Sequence, residues 1–122
     1  MSYKNDDFLI EKILMLLSNN NVDMFSLIGS VKDLFSSAYI TKKVASDNIV
    51  SDLWASLFTV FSESKEYENQ FDAIDAMYDI FVYAEKNDVN LNLEPLREWR
   101  NIHDENNISL EILECVDEML IK

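Results

Sequence analysis

The sequence contains very few residues that form tight turns or covalent cross-links. Its 122 residues include one glycine, one proline and one cysteine. A fold of many strands needs turn-forming residues every few positions, so this composition excludes a large β-sheet architecture. The single cysteine, Cys115, excludes a disulfide within the chain and is typical of a reducing compartment. We predict that Cys115 is a small apolar residue at the edge of the last helix rather than a nucleophile.

Basic residues are also scarce. The chain has ten Lys and Arg residues against 23 Asp and Glu residues, which gives a formal charge of −13. The excess lies mainly in the second half, where residues 66–94 have eight acids and one base and residues 95–122 have seven acids and three bases. Such a field repels phosphates and attracts cationic proteins. We therefore expect a basic protein partner and no direct binding of nucleic acid.

We expect neither a membrane span nor an export signal in this sequence. Its N-terminal apolar run, residues 8–17, is short, has Glu11 and Lys12 in its middle and is not followed by a small-residue cleavage site. We predict a core helix there, no membrane association and a cytoplasmic location. An apolar fraction of 48% is enough for a hydrophobic core. Residues 1–122 are therefore predicted to form a single domain that needs no metal and no cofactor.

Apolar residues recur at helical spacing through most of the chain, which predicts an all-α bundle of about five or six helices. The predicted helices cover residues 7–18, 23–37, 48–62, 68 to about 85–88, 95–101 and a last segment that follows a cap at Asn107 or Ser109 and ends near residue 121. The helix over 48–62 is predicted to be the most buried, and its strip of small polar residues suits either solvent or a packed neighbour. Gly29 falls on an outer flank, where it is either tolerated or marks a close backbone approach or a bend.

The segment 68–84 combines an apolar face with an acidic face. The residues predicted to face the core are Phe71, Ile74, Met77, Tyr78, Phe81 and Val82. The predicted partner-binding residues are Glu68, Asp72, Asp75 and Asp79, which share a narrow stripe, and Tyr83, one turn beyond it. Four carboxylates on one stripe repel each other, and no base lies between them, so the pattern favours a cationic partner. The tyrosine is the predicted aromatic anchor of that contact.

Other uses of these carboxylates remain open. A metal site needs carboxylates that converge in a cavity, and the sequence has no EF-hand spacing. A solvated acid face that serves solubility needs no partner at all. The last predicted helix repeats the design with Glu111, Glu114 and Glu118, which form the alternative interface.

The segment 97–104 holds the candidates for catalysis. His103 and Asp104 could form a general base with its orienting carboxylate, but the sequence has no nucleophile in a recognisable turn and no glycine-rich loop. We therefore predict that the chain is not an enzyme. Arg97 and Arg100 are instead expected to bridge carboxylates on adjacent helices, and Trp99 to cover the end of the bundle.

A small, strongly acidic, cysteine-poor helical chain with carboxylate stripes and a flanking tyrosine resembles the immunity proteins that neutralise bacterial toxins in bacteriocin and contact-dependent growth inhibition systems. The resemblance covers size, charge and helical layout. It implies a tight one-to-one inhibitor of a cationic toxin domain, often a nuclease, whose groove must be basic to hold phosphates. The alternative is a resemblance to acidic nucleic-acid mimics of phages, the anti-CRISPR and anti-restriction proteins, in which carboxylates stand in for phosphates.

Overall fold

The computed structural model describes Met15, Ile28, Gly29, Val31 and residues 46–121. This part of the chain is all-helical and contains no strand. Its helices are α1 (Asp47–Glu63), α2 (Tyr67–Asn87), α3 (Glu94–Asn101) and α4 (Leu110–Leu120). The all-α prediction is therefore confirmed for these residues, and the four bounds agree with the predicted ones to within about one residue.

The two predicted N-terminal helices, 7–18 and 23–37, lie outside the described residues except at four positions. Met15, Ile28, Gly29 and Val31 are all helical, and Ile28 and Val31 are buried in the core. Among the residues that the structure describes, a Cβ atom added to Gly29 would meet nothing within 4 Å, so none of them makes a close approach to this glycine. The total of five or six helices stays a prediction.

The helix ends follow from local chemistry. Ser46 precedes α1 with extended backbone, and Ser109 occupies the same position before α4. Pro95 lies in the first turn of α3, where its missing N–H costs nothing. Because no glycine is available after α2, Asp88 adopts the left-handed conformation there, with φ 58° and ψ 37°. Asp is one of the few residues besides glycine that tolerate this conformation.

Helix α2 contacts both α1 and α4, and α3 contacts α1 and α4 across one end of the bundle. As predicted, α1 buries a broad face, which consists of Val50, Leu53, Trp54, Leu57 and Phe61. Trp99 of α3 packs its ring against Phe61 with the ring centroids 4.6 Å apart. The predicted role of Trp99 at the end of the bundle is thus confirmed.

The predicted core face of α2 is partly wrong. Its buried residues are Ala73, Ile74, Ala76, Met77, Ile80, Phe81, Tyr83 and Ala84. Of the other residues expected to point inward, Phe71 and Tyr78 are only partly buried but still pack against the core, and Val82 is only partly buried. The buried arc is rotated by about a quarter of a turn because it follows the alanines, whose small side chains let neighbouring elements approach closely.

One ion pair joins α3 to α4. Arg100 donates from Nε to Asp117 Oδ1 at 2.7 Å and from Nη2 to Asp117 Oδ2 at 3.3 Å, and its Nη1 donates to the His103 carbonyl at 2.8 Å. The hydrogen bonds that Arg100 donates to the Asp117 carboxylate raise the pKa of Arg100. The predicted bridge between helices is confirmed for Arg100. It is wrong for Arg97, which pairs with Glu94 of its own helix at 3.4 Å.

Candidate functional site

Helices α2 and α4 lie side by side and run in the same direction. At the start of both helices the Tyr67 hydroxyl donates a hydrogen bond to Glu111, and further along both helices the Tyr78 hydroxyl donates to Glu118 at 3.1 Å. Because the first pair joins the two beginnings and the second pair joins later turns, the helices are parallel. The two carboxylate stripes predicted as alternative interfaces therefore belong to adjacent helices.

We call this combined surface the acid seam. It consists of Glu68, Asp72, Asp75 and Asp79 of α2 and Glu111, Glu114 and Glu118 of α4. None of these seven carboxylates is buried: Glu68 and the three glutamates of α4 are exposed, and the three aspartates are intermediate. The charges of Asp75, Asp79 and Glu118 all act on Cys115, so carboxylates of both helices lie near this residue.

Aromatic rings lie between the two rows of carboxylates. Tyr67 is 44% exposed and stacks on Phe71 with ring centroids 5.9 Å apart and planes inclined by 21°. The hydrogen bonds to Glu111 and Glu118 raise the pKa values of Tyr67 and Tyr78, so both phenols stay neutral donors at physiological pH. An exposed ring beside a carboxylate can hold a guanidinium or ammonium group through cation–π attraction and ion pairing.

The structure contradicts the role predicted for Tyr83. This side chain is 3% exposed, so it cannot serve as an exposed anchor. Tyr83 lies four residues after Asp79. Because four residues of a helix turn about 40° more than a full circle, the Tyr83 side chain lies away from the carboxylates and on the side of buried Ala76. The exposed tyrosine of this surface is Tyr67 instead. The spacing of Tyr67 and Phe71 at i and i+4 indicates that the two rings share one face of a helix. The predicted helix began at residue 68, one residue too late to include Tyr67.

Cys115 lies where α4 packs against α2. Its thiol is 3.9 Å from the Ile74 carbonyl oxygen, to which it donates a weak hydrogen bond. Burial, with a smaller contribution from the charges of Asp75, Glu118 and Asp79, raises the pKa of Cys115 to about 11. The thiol is therefore protonated at neutral pH, as expected for a packing residue rather than a nucleophile.

His103 takes part in packing at the end of the bundle. Its ring stacks on Trp99 with centroids 4.4 Å apart, and its Nδ1 lies 2.8 Å from the Trp99 carbonyl oxygen. Because a carbonyl only accepts, Nδ1 carries the proton. The Asp104 carboxylate accepts instead from the backbone N–H of Asn106 at 2.9 Å, and no hydrogen bond joins it to His103 among the residues described. This geometry does not assemble the His103–Asp104 pair as a base with its orienting carboxylate.

The charge of the described region is strongly one-sided. Residues 46–121 hold eighteen acids and four bases, a formal charge of −14. Over this same region no three His, Cys, Asp or Glu side chains are placed to hold a metal ion. No helix there has both the length and the apolar character needed to cross a bilayer. Comparison with family models, with curated proteins and with solved structures finds no match.

Proposed function

We propose that this chain is a protein-binding inhibitor of the immunity type, which neutralises a cationic toxin domain by covering its basic surface with the acid seam. The observation that carries the proposal is the pair of contacts Tyr67–Glu111 and Tyr78–Glu118, which join two carboxylate rows into one surface with aromatic rings between them. In this proposal the protein acts in the cytoplasm as a single domain of five or six helices, without a catalytic step or a cofactor.

The seam has the physical properties that such an inhibitor needs. Clustered negative charge steers a basic partner into contact and raises the association rate. Two of the glutamates are held by tyrosine hydroxyls, so less side-chain freedom is lost when a partner binds. Tyr67 supplies the aromatic surface on which interface energy is usually concentrated.

The partner we favour is a toxin with nuclease activity, because an enzyme that holds phosphates must present a basic groove to them. A nucleic-acid mimic is the second candidate. Its support is the arrangement of carboxylates in two rows on adjacent helices, since a nucleic-acid duplex also presents two rows of charge. The two functions differ in selectivity, because an immunity protein is specific for its cognate toxin whereas a mimic is directed at a nucleic-acid-binding groove.

The test uses three versions of the full chain as immobilised bait in native cell lysate at low salt. These are the wild type, a seam variant with Glu68→Lys and Asp72→Lys, and a control with Glu98→Lys and Glu105→Lys. The control makes the same charge change at exposed positions outside the seam. We expect one basic protein to be enriched on the wild type and on the control and to be lost on the seam variant.

The captured protein is then produced in a susceptible host, alone and together with each version. We expect it to arrest growth alone, and we expect the wild type and the control to restore growth while the seam variant does not. Equal capture by all three versions would remove the seam from the interface. A captured protein that is harmless alone, and from which the wild type displaces bound nucleic acid, would instead support the mimic.

A further inference from the structure

A groove lies away from the acid seam, between the outer side of α1 and the loop that connects α2 to α3. It encloses about 430 Å³, a volume within the usual range of ligand pockets. The residues that line it are Ser51, Trp54, Ala55, Phe58 and Thr59 of α1, Asn90 and Asn92 of the loop, and Pro95 of α3. The strip of small residues on α1, which suited either solvent or a neighbour, thus forms one wall of a concave surface.

Hydrogen bonds between the two walls hold the groove in shape. The Trp54 indole N–H donates to the Asn92 carbonyl at 3.1 Å, and the Ser51 hydroxyl donates to the Asn90 carbonyl at 3.4 Å. The Asn92 side chain in turn accepts from the backbone N–H of Glu94 at 3.1 Å, which fixes the loop where α3 begins. A groove held in this way needs little rearrangement to accept an occupant.

The lining determines what the groove can hold. Its walls are mainly apolar, with Trp54, Phe58 and Pro95 as the largest groups, and no charged side chain lies among the lining residues that the structure describes. The charged neighbours of the lining in sequence are Asp52 and Glu94, both exposed and both acidic. An anionic occupant would be repelled, whereas an apolar group beside a cation would be attracted.

The loop also offers hydrogen bonds to a bound chain. Among the lining residues of the loop, the backbone N–H group of Asn90 is one donor with no acceptor within the described part of the protein. A polypeptide that lies along the loop can supply carbonyl oxygens to such donors, which a hydrocarbon ligand cannot.

We propose that this groove binds an apolar side chain of an extended polypeptide segment that carries lysine or arginine next to that side chain. The inference does not depend on the proposed function, because it uses residues of α1 and the α2–α3 loop rather than those of the acid seam.

The experiment is a titration of the isotopically labelled full chain by NMR with three blocked peptides: Lys-Leu-Pro-Leu-Lys, Glu-Leu-Pro-Leu-Glu and Lys-Ser-Gly-Ser-Lys. The indole N–H of Trp54 reports on the groove, and the indole N–H of Trp99 is the internal control because its ring does not line the groove and packs instead against Phe61 and His103. We expect saturable shifts of the Trp54 signal with the first peptide at millimolar concentration, and binding at least about fivefold weaker with the other two.

Two filling variants and one matched control complete the test. Ala55→Phe and Thr59→Phe each place a ring in the groove at an exposed position, and Ser62→Phe places the same ring on the same side of α1, two turns beyond Ala55. We expect either filling variant to weaken binding about tenfold and the control to leave it unchanged. The proposal is overturned if the first peptide gives no saturable shift of Trp54, if the acidic peptide binds equally well, or if the filled groove still binds. A shift that depends on protein concentration without peptide would show that a second copy occupies the groove, which also overturns it.

Discussion

The Tyr78 hydroxyl donates a hydrogen bond to the Glu118 carboxylate at 3.1 Å, from α2 to α4. Together with the hydrogen bond between Tyr67 and Glu111 at the start of both helices, it sets the register of the two parallel helices. It also places a carboxylate of the second stripe beside those of the first. A single hydroxyl therefore connects the stability of the bundle to the charge of its surface.

Removal of the Tyr78 hydroxyl should weaken the fold slightly. Tyr78→Phe keeps the ring and loses one charge-assisted hydrogen bond, so we expect the free energy of unfolding to fall by about 1 kcal/mol at pH 7. Urea denaturation of the wild type, Tyr78→Phe, Glu118→Gln and the double variant measures the coupling between the two side chains. Fully additive effects would show that the hydrogen bond contributes nothing in solution.

The same contacts predict how stability depends on alkaline pH. The pKa values of Tyr67 and Tyr78 are raised in the folded protein above the ordinary value of 10.0. Their stabilising contribution is therefore fully present below pH 10 and is lost as the pH rises through the higher folded values. Between pH 9 and 11, urea denaturation of the wild type should show a steeper loss of stability than the variant with Tyr67→Phe and Tyr78→Phe. Parallel curves would contradict the hydrogen bonds.

Cys115 should react with thiol reagents far more slowly in the folded protein than in the unfolded chain. Its pKa is raised from 9.0 to about 11, which lowers the thiolate fraction at pH 8 by about a hundredfold. Because this is the only cysteine, iodoacetamide labelling followed by mass spectrometry reports on it alone. We expect the native rate at pH 8 to be lower than the rate in urea by at least that factor. A native rate within threefold of the unfolded one would mean that the thiol is accessible and ionised.

The two arginines of α3 offer a matched comparison. Arg100→Ala removes the bidentate bridge to Asp117 and a hydrogen bond to the His103 carbonyl, so we expect a loss of about 1 kcal/mol and a decrease of about 4 °C in Tm. Arg97→Ala removes only the ion pair with Glu94 on the exposed side of the same helix, and such a pair contributes a few tenths of a kcal/mol. Thermal unfolding in low and high salt checks both, and the difference should shrink in high salt. Equal effects would show that the bridge between helices does not contribute.

The helices could be predicted from sequence because each is long enough for its apolar residues to recur several times. Which face of α2 is buried could not be predicted in the same way. Phe71 and Tyr78 dominate any hydrophobic arc, but the neighbours of this helix pack where Ala73 and Ala76 leave room, and alanine contributes little to such an arc. The position of α4 beside α2 depends on contacts between residues about forty positions apart, which no local pattern contains. The acid stripes were therefore predictable separately, and their union in one seam was not.

Tyr67 and Tyr83 should behave in opposite ways when each is replaced by alanine. Tyr83 is 3% exposed, so Tyr83→Ala leaves a cavity and should cost about 3 kcal/mol of stability, measured by urea denaturation. Tyr67 is 44% exposed, so Tyr67→Ala should change stability little.

Partner binding should separate the two residues again. Surface plasmon resonance with the protein captured by the wild type measures the rates for each variant at two salt concentrations. If Tyr67 is the aromatic anchor of the acid seam, Tyr67→Ala should raise the dissociation rate about tenfold or more while the association rate stays nearly constant, because the charges that steer encounter are untouched.

The variant with Glu68→Lys and Asp72→Lys should show the converse, with slower association and a weaker dependence on salt. Tyr83→Ala, measured where it is still folded, should bind as the wild type does. Unchanged dissociation for Tyr67→Ala, with normal binding otherwise, would leave the carboxylates as the interface and remove the ring from it.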